Sequence, residues 1–227
     1  MERNQGYANT DVNAYLTKVY GFMTVALIIT SLVAFAVSTS ETMLYTIYGN
    51  RFNVLILFIC QIALVMAISR YGTRISTLAA ASAFILYSIL NGLVLSYIFI
   101  VYASTTIFSA FFVTAGTFAA MSIYGYVTKK DLTTIGRLGF MALIGVILAS
   151  VINGFLIKSS GFDIIISIVA VIVFIGLIAY DTQKLKQLYY EGYGTTNIAL
   201  IGALTLYLDF INLFLNILRI FGGSSRN

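Results

Sequence analysis

Seven long apolar stretches, separated by short polar segments, dominate the hydropathy pattern of the chain. Each is close to the roughly 20 residues that an α-helix needs to cross about 30 Å of hydrocarbon. Only helices and closed barrels satisfy their backbone groups in lipid, and stretches of this length predict a helical bundle. We therefore predict an all-α polytopic membrane protein with seven transmembrane helices, at about 19–38, 52–69, 76–102, 106–127, 138–157, 162–183 and 197–221.

The polar ends of the chain flank a single predicted membrane domain. Residues 1–18 are expected to form a cytoplasmic N-terminal segment, 19–221 the seven-helix domain and 222–227 a short C-terminal tail. The shortest separation is between the third and fourth stretches, which only Ala103-Ser104-Thr105 divide. Ala34-Phe35-Ala36 resembles a cleavage site, but its apolar run is too long for a signal peptide and cleavage is not expected.

Composition narrows the class of function. The 227 residues are 60% hydrophobic and 9% charged, whereas soluble domains are about 25% charged, so we expect an integral membrane protein. The chain has no histidine and no proline, which excludes histidine-based catalysis and makes glycine, serine or asparagine responsible for any broken helix. No candidate catalytic nucleophile with a neighbouring general base stands out. The lysine and arginine residues are spread along the loops and do not form a cluster. Neither an enzyme, a bound cofactor nor a nucleic-acid partner is therefore predicted.

The distribution of lysine and arginine predicts the orientation. Because cytoplasmic loops carry an excess of basic residues, the side with nine of them is assigned to the cytoplasm, and the N-terminus with it. Compact loops and the absence of targeting motifs favour a bacterial inner membrane, whose anionic lipids suit a net charge of +5. The cytoplasmic set is Arg3, Lys18, Arg70, Arg74, Lys129, Lys130, Arg137, Lys184 and Lys186, and the other set is Arg51, Lys158, Arg219 and Arg226.

The last two apolar stretches each contain an aspartate, Asp181 and Asp209. Ionisable groups at membrane depth are costly and usually functional. A turn is predicted at Gly192-Tyr193-Gly194-Thr195-Thr196, and residue 195 is the midpoint of 181 and 209. Two antiparallel helices that rise about 1.5 Å per residue from that turn place both carboxyl groups at nearly the same depth. We therefore expect Asp181 and Asp209 to meet.

A carboxyl pair of this kind suits pH sensing. Two carboxylates in contact cannot both ionise cheaply, so they share a proton and titrate as a unit. A protonated pair holds two helices together, and a fully ionised pair repels unless a cation intervenes. Calcium prefers oxygen ligands and is a natural competitor for the proton, so Asp181 and Asp209 are also candidates for transient calcium binding. The alternative is that each aspartate pairs with Arg70, Arg74 or Lys184 and only fixes helix packing.

Polar side chains recur along one face of the last predicted helix. At 3.6 residues per turn, spacings of 4, 3, 4 and 3 place them in one stripe, and such a stripe is expected to face the bundle interior or a wet cavity. A proton or ion pathway is one interpretation, and for the asparagines simple hydrogen bonding to neighbouring helices is the other. The stripe consists of Thr205, Asp209, Asn212, Asn216 and Arg219.

Small and polar residues elsewhere predict helix packing. Gly116, Gly139 and Gly145 are expected at close helix contacts, and Asn91 and Asn153 are expected to bridge helices.

Two segments carry a resemblance to a known family. They are Ala179-Tyr180-Asp181-Thr182-Gln183 and the run from Thr205 to Arg219, TLYLDFINLFLNILR. Both resemble the Bax inhibitor family of transmembrane Bax-inhibitor-motif proteins, and Ile98-Phe99-Ile100-Val101-Tyr102 is similar to its bacterial and lifeguard-like branch. Intramembrane aspartyl proteases share the Tyr-Asp motif, but they require Gly-x-Gly-Asp where this chain has Leu206-Tyr207-Leu208-Asp209, and a proline that it lacks.

The resemblance implies a seven-helix fold in which the last helix is enclosed by the other six. It implies a pH-sensitive calcium leak gated by Asp181 and Asp209, with an arginine of the second helix, here Arg70 or else Arg74, latched onto Asp181. Some bacterial relatives look like modulators of a membrane-bound ATP-dependent protease. The alternative function is therefore a non-conducting regulatory protein that binds such a protease or another membrane partner.

Overall fold

The structure of the protein is a computed structural model, which describes the backbone of residues 2–224 and the side chains of residues 11–223. This part of the chain is helical and contains no strand. Two π-helical turns, Asn153–Ile157 and Tyr189–Tyr193, follow the seventh and eighth helices directly. The α-helices are α1 Glu2–Ser38, α2 Glu41–Tyr48, α3 Arg51–Tyr71, α4 Thr77–Leu95, α5 Ile98–Val101, α6 Ser104–Val127, α7 Thr133–Ile152, α8 Ser160–Leu188 and α9 Thr196–Ser224.

Seven helices of the described chain are long and apolar enough to cross a membrane, which confirms the predicted all-α polytopic fold. The last span is the most enclosed, with 67% of its most apolar part buried against 6–44% in the other six, in agreement with the expected inner position of α9. The spans are Asp11–Ser38, Arg51–Tyr71, Thr77–Val101, Ser104–Val127, Thr133–Ile157, Ser160–Tyr193 and Thr196–Gly223.

The helix that contains the first predicted span begins before the apolar stretch at 19–38. Within this earlier part of α1, Val12, Leu16 and Val19 recur at helical spacing and are buried. The N-terminal segment predicted at 1–18 thus continues into the same helix. Of the tail predicted at 222–227, residues 225–227 lie outside the described chain.

A short helix that the hydropathy pattern did not predict, α2, follows the first span. The Ser40 hydroxyl caps its N-terminus by accepting a hydrogen bond from the Met43 N–H at 3.4 Å. The Tyr48 hydroxyl donates to the Val94 carbonyl at 2.8 Å, which ties the end of α2 to the end of α4. A helix of two turns is too short to stand out in a search for membrane spans.

The chain divides into two compact units, and α9 contributes to both. The first unit comprises 1–101 and 187–207, and the second comprises 102–186 and 208–227. In the first unit, α1 and α4 approach closely at Gly92, where a Cβ would lie 2.7 Å from the Thr30 carbonyl oxygen. Glycine is therefore required at this contact, as is common between membrane helices.

A buried polar network joins three helices of the first unit. The Asn91 amide donates to the Tyr207 hydroxyl at 2.7 Å, so Asn91 bridges α4 and α9 as predicted. The Thr30 hydroxyl donates to the Ser88 carbonyl at 2.9 Å and lies 2.7 Å from the Tyr207 oxygen. Because the proton of Thr30 is already used, Tyr207 donates to Thr30. Tyr207 is 0% exposed, and its hydroxyl both donates and accepts a hydrogen bond.

In the second unit, α8 packs closely against α6 and α7. A Cβ on Gly125 of α6 would collide with the Ala179 carbonyl oxygen, and one on Gly139 of α7 would lie 2.9 Å from the Leu177 side chain. At Gly116 and Gly145, no described atom outside the adjacent residues and the local helix backbone lies within 4 Å of the position that a Cβ would take. The prediction of close contacts was therefore right for Gly139 and wrong for Gly116 and Gly145.

The connection from α7 to α8 is held by Asn153. Its amide donates to an Asp163 carboxylate oxygen at 2.6 Å and to the Ser159 carbonyl at 3.0 Å, and its side-chain oxygen accepts from the Ser159 N–H. The predicted bridging role of Asn153 is confirmed. Asp163, a third acidic residue of the apolar region, has its partner here and is not part of the pair at the other end of α8.

Candidate functional site

Helices α8 and α9 run antiparallel within the second unit. Near one end, an Arg219 guanidinium N–H donates to the Ser167 hydroxyl at 3.3 Å. Near the other end, a side-chain hydrogen bond joins Asp181 to Asp209. The chain reverses between the two helices at Gly192, whose φ of 88° lies in the left-handed region that favours glycine. The turn predicted from the sequence is therefore present, and the structure brings the two predicted carboxyl groups together.

The contact between the two carboxyl groups requires a proton. Asp209 is only 6% exposed, and Asp181 is half-buried. A carboxylate can only accept hydrogen bonds, so one of the two residues must be protonated for them to bond to each other. The Asp209 Oδ2 atom is buried, and no amide, hydroxyl or ammonium group of the described chain donates to it. The hydrogen bond between Asp181 and Asp209 therefore depends on a shared proton.

Lys184 is the basic residue that most directly affects the pair. It lies one turn after Asp181 on α8 and exerts an electrostatic attraction on that carboxyl group. Its ammonium is 5.7 Å from the centroid of the Tyr180 ring. The alternative, in which each aspartate pairs separately with a basic residue and only fixes helix packing, stays a prediction.

Gln183 clamps the loop between α6 and α7 beside the pair. Its side-chain oxygen accepts from the Leu132 N–H at 2.9 Å, and its amide donates to the Lys130 carbonyl at 2.9 Å. The Lys186 ammonium donates to the Tyr126 carbonyl at 2.8 Å, at the end of α6. Sequence reasoning assigned Gln183 no role of its own. The sequence feature that could have indicated this role is a long polar side chain two residues after Asp181.

Asp131 caps α7 in the same loop. Its carboxylate accepts from the Thr133 N–H at 2.9 Å and from the Thr133 hydroxyl at 2.6 Å. These hydrogen bonds, the side-chain one first, lower the pKa of the Asp131 carboxyl below its ordinary value, because they stabilise the charged form. The loop that Gln183 holds is thus also fixed at the start of the next helix.

Apart from Asp209, which is buried, the residues of the predicted polar stripe on α9 are half-buried or exposed. The Asn212 amide donates to the Leu208 carbonyl and the Asn216 amide to the Asn212 carbonyl, each at 2.8 Å, and the Thr205 hydroxyl donates within the helix as well. Arg219 is exposed. The most deeply buried side chains of α9 are on its other faces and include Leu206, Tyr207, Leu213 and Leu218. Whether Thr205, Asn212, Asn216 and Arg219 line a pathway stays a prediction.

The predicted latch joins residues of different units and also stays a prediction. Arg70 and Arg74 are both exposed. The Arg70 guanidinium lies 5.9 Å from the ring centroid of its neighbour Tyr71. An arginine at the end of a span that stacks on an aromatic ring is typical of the membrane interface.

The acidic pair does not form a permanent metal cage. The described residues contain no group of three or more histidine, cysteine, aspartate or glutamate side chains that could hold a metal ion. Calcium usually takes six to eight oxygen ligands, and Asp181 and Asp209 supply two carboxyl groups. Whether Asp181 and Asp209 bind calcium in passing stays a prediction.

Comparisons with known proteins agree with this architecture along nearly the whole chain. The family model described as inhibitor of apoptosis-promoting Bax1 matches residues 12–227. The inner membrane protein YbhL of Escherichia coli strain K12 is 48% identical over 217 residues, which cover 93% of this chain and 92% of YbhL. An uncharacterized protein of Borreliella burgdorferi is 42% identical, covering 95% and 94% of the two chains. An uncharacterized membrane protein of Streptococcus pyogenes serotype M1 is 40% identical, covering 95% and 96%. The chain is therefore an integral membrane protein that belongs to the Bax inhibitor family.

Proposed function

We propose that the protein is a pH-sensitive cation leak, with calcium as the permeant ion, gated by Asp181 and Asp209. The observation that carries the proposal is the hydrogen bond between these two carboxyl groups, together with the burial of Asp209, whose Oδ2 receives no hydrogen bond from an amide, hydroxyl or ammonium group of the described chain. Two acidic residues in contact at membrane depth are costly to keep for packing alone. Such a pair responds both to protons and to cations.

The sign of the pH response follows from the shared proton. With the proton in place, the hydrogen bond holds the second-unit parts of α8 and α9 together, which is the closed arrangement. Loss of the proton puts two negative charges in contact, and their repulsion favours separation of the helices. The leak is therefore expected to increase as the pH rises through the range in which the pair loses its proton.

Neighbouring residues supply the rest of the gate. Arg70, or else Arg74, latches onto Asp181 in the ionised state and opposes the repulsion. Thr205, Asn212, Asn216 and Arg219 provide polar groups along the path of the ion. Calcium competes with the proton for Asp181 and Asp209 and is held there only in passing, and no cofactor or catalytic step is involved.

The setting of the leak is a bacterial inner membrane with the N-terminus in the cytoplasm. The name of the Escherichia coli relative supports this membrane, and the lysine and arginine distribution supports this orientation. With that orientation, Asp181 lies toward the cytoplasmic end of α8. The gate thus responds to cytoplasmic pH.

The test is calcium flux into liposomes that contain the purified protein and a calcium dye, measured at a series of pH values. Wild type is expected to show flux that rises with pH. Asp181→Asn and Asp209→Asn are expected to leave flux that no longer depends on pH, because an amide cannot lose the shared proton. Asp131→Asn is the matched control, since this exposed aspartate lies at the same end of α8 and an asparagine keeps its capping role.

Two results would contradict the proposal at different levels. If both pair variants follow the wild-type pH curve, the pair is not the sensor, even though the leak is real. If wild type conducts no calcium at any pH, the alternative remains, a non-conducting regulator of a membrane-bound ATP-dependent protease or another membrane partner. Co-purification from membranes then becomes the measurement.

A further inference from the structure

Helix α6 carries a buried hydroxyl that forms no hydrogen bond within the described part of the chain. It belongs to Ser122, which is 7% exposed and whose Oγ atom is buried. Other buried hydroxyls of the spans, those of Ser88, Thr114 and Ser167, each donate to the carbonyl four residues earlier. Such back-bonding is the ordinary way to satisfy a serine or threonine within a helix. The Ser122 hydroxyl does not use it, and a buried polar group without a partner is costly.

Ser122 lies between the contacts that α6 makes with α8 and α9. One turn before it, the Phe118 ring lies 5.5 Å from the ring of Phe210 on α9. One turn after it, Gly125 meets the Ala179 carbonyl of α8. Positions 118, 122 and 125 share one face of a helix with 3.6 residues per turn, and all three are buried. The face of α6 that carries Ser122 is therefore the face that packs against both helices of the acidic pair.

The residues that α6 contacts are close neighbours of the acidic pair. Phe210 directly follows Asp209, and Ala179 is two residues before Asp181. Asp209 is buried, and no amide, hydroxyl or ammonium group of the described chain donates to its Oδ2 atom. The junction of α6, α8 and α9 thus contains a hydroxyl donor that lacks an acceptor and a carboxyl oxygen that lacks a donor of this kind.

Helices α7 and α8 contribute the basic residues at this end of the second unit. Lys184 attracts the charged form of Asp181. The Lys186 ammonium instead donates to a carbonyl at the end of α6, and Arg137 exerts its attraction on Asp131 of the neighbouring loop. The interactions of these three cations are therefore divided between one aspartate of the pair and groups outside it.

Helices α6 and α9 offer the pair few other charged or titratable groups. Helix α6 has no acidic or basic residue, and its titratable side chains are those of Tyr124, which is exposed, and Tyr126. Besides Asp209, the charged residue of α9 is Arg219, which donates to a hydroxyl near the opposite end of α8. Ser122 is therefore an uncharged donor that α6 places at the junction.

We propose that Ser122 is the hydrogen-bond donor of the ionised pair and sets the pH at which the gate opens. When the pair loses its proton to water, the Ser122 hydroxyl turns toward the Asp209 carboxylate and donates to it. A hydrogen bond to a carboxylate is stronger than one between neutral groups, so it stabilises the charged state. In the closed state the hydroxyl has no partner, which favours opening further. The proposal rests on the proposed function in taking the charged pair as the open state.

Infrared difference spectroscopy of the detergent-solubilised full chain measures the protonated carboxyl groups directly. The carboxyl band that Asp209→Asn removes is followed over a series of pH values. In Ser122→Ala this band is expected to disappear at a pH about one unit higher than in wild type, because the charged form loses its donor. Ser122→Thr keeps the hydroxyl and should follow wild type. Thr114→Val is the matched control, since it removes a buried hydroxyl of the same helix that already has its partner, and its midpoint should equal that of wild type.

Two further measurements separate a role in the gate from a role in packing. The calcium flux of Ser122→Ala in liposomes should rise with pH as in wild type, with its midpoint displaced upward by about one pH unit. Thermal unfolding at low pH should show no loss of stability, because the hydroxyl has no partner in the closed state. A residue that only packs would lower the stability at every pH and leave the infrared midpoint in place.

Equal infrared midpoints in Ser122→Ala, Thr114→Val and wild type overturn this proposal, whatever the flux. An equal upward displacement in Ser122→Ala and Thr114→Val overturns it too, because the shift would then come from a general loosening of α6. If the midpoint moves as expected but wild type conducts no calcium, Ser122 is the donor of the ionised pair and the leak is wrong. If no carboxyl band titrates, both proposals fail. If Ser122→Thr does not fold, Ser122→Ala and Thr114→Val still decide the outcome.

Discussion

Tyr207 and Asp209 are two residues apart on α9, and each places polar atoms in apolar surroundings. The Tyr207 hydroxyl accepts from Asn91 and donates to Thr30, so its hydrogen bonding is complete and neutral. Asp209 bonds to another acid, Asp181. A satisfied network such as that of Tyr207 stabilises one arrangement of helices. Under the proposed function, the acidic pair instead has two arrangements whose balance depends on a proton.

The difference shows why burial alone does not identify a functional residue. Tyr207 is more deeply buried than Asp209, and the network around it includes a buried asparagine and a buried threonine. These groups need nothing from solvent. The contact of Asp209 with Asp181 depends on a proton, and this dependence is the basis of the proposed sensor. Four substitutions test this contrast between a neutral network and a titrating pair.

The largest effect is expected from Asp209→Asn at high pH. Because a hydrogen bond between two carboxyl groups requires a proton, wild-type stability is expected to fall as the pH rises. The variant lacks the second charge and should not show this fall. At pH 8 it is expected to be more stable than wild type by about 1–3 kcal/mol, and the gap should shrink at pH 5. Thermal unfolding in detergent at both pH values measures this. A gap that is the same at both pH values would mean that the pair does not titrate.

Tyr207→Phe is expected to cost about 1–2 kcal/mol at every pH. The substitution removes the hydroxyl, which leaves the Asn91 amide without its acceptor, and nothing in the network titrates near neutrality. Thermal unfolding of the same samples gives the cost. Tyr97→Phe is the control, because Tyr97 is half-exposed. If the cost of Tyr207→Phe varies with pH, the network is energetically coupled to the acidic pair. That result would contradict the contrast between a neutral network and a titrating pair.

Gln183→Ala is expected to cost about 1 kcal/mol and to loosen one loop. It removes the partners of the Leu132 N–H and the Lys130 carbonyl, so amide hydrogen exchange of residues 128–132 should speed up. Gln187→Ala, one turn later and exposed, is the control. If exchange in this loop is unchanged, Gln183 is not the residue that holds it.

The smallest effect is expected from Asp131→Ala, and it has the opposite pH dependence to that of the pair. The lowered pKa of Asp131 means that its charged form is favoured in the native state. The contribution is therefore present above the ordinary pKa of an aspartate and is lost as the pH falls through the lowered value. Unfolding midpoints of Asp131→Ala and wild type should differ slightly at neutral pH and converge in acid. A difference that grows in acid would show that the cap has another origin.

The glycines show the limit of prediction from this sequence. Contacts between helices were predicted at Gly139, Gly116 and Gly145, and only the prediction for Gly139 was right. The contact of Gly125 of α6 with the Ala179 carbonyl was not predicted. Helices that are apolar on all sides do not reveal which side faces another helix. Packing then decides which small residue is required, and the local pattern does not contain that information.

The polar stripe on α9 shows a second limit of prediction from the sequence. Its spacing correctly predicted a shared face, and yet Asn212 and Asn216 donate within their own helix, while Leu206, Tyr207 and Leu213 take the buried positions. An asparagine can satisfy its amide on the preceding turn, so Asn212 and Asn216 stay half-buried although Asp209 of the same stripe is buried. Helical spacing gives a common face and does not give its direction.

The seven spans follow from the amino-acid sequence without any knowledge of packing, because their length and apolar character leave no other way to satisfy the backbone in lipid. The common depth of Asp181 and Asp209 follows in the same way, from a glycine turn near their midpoint and a constant helical rise. Three other features emerge only when the helices are packed. The two aspartate side chains face each other, Gln183 holds the neighbouring loop, and Ser122 lies between the contacts that α6 makes with α8 and α9. These features depend on the rotation of each helix about its axis, which is fixed by contacts between residues distant in the chain.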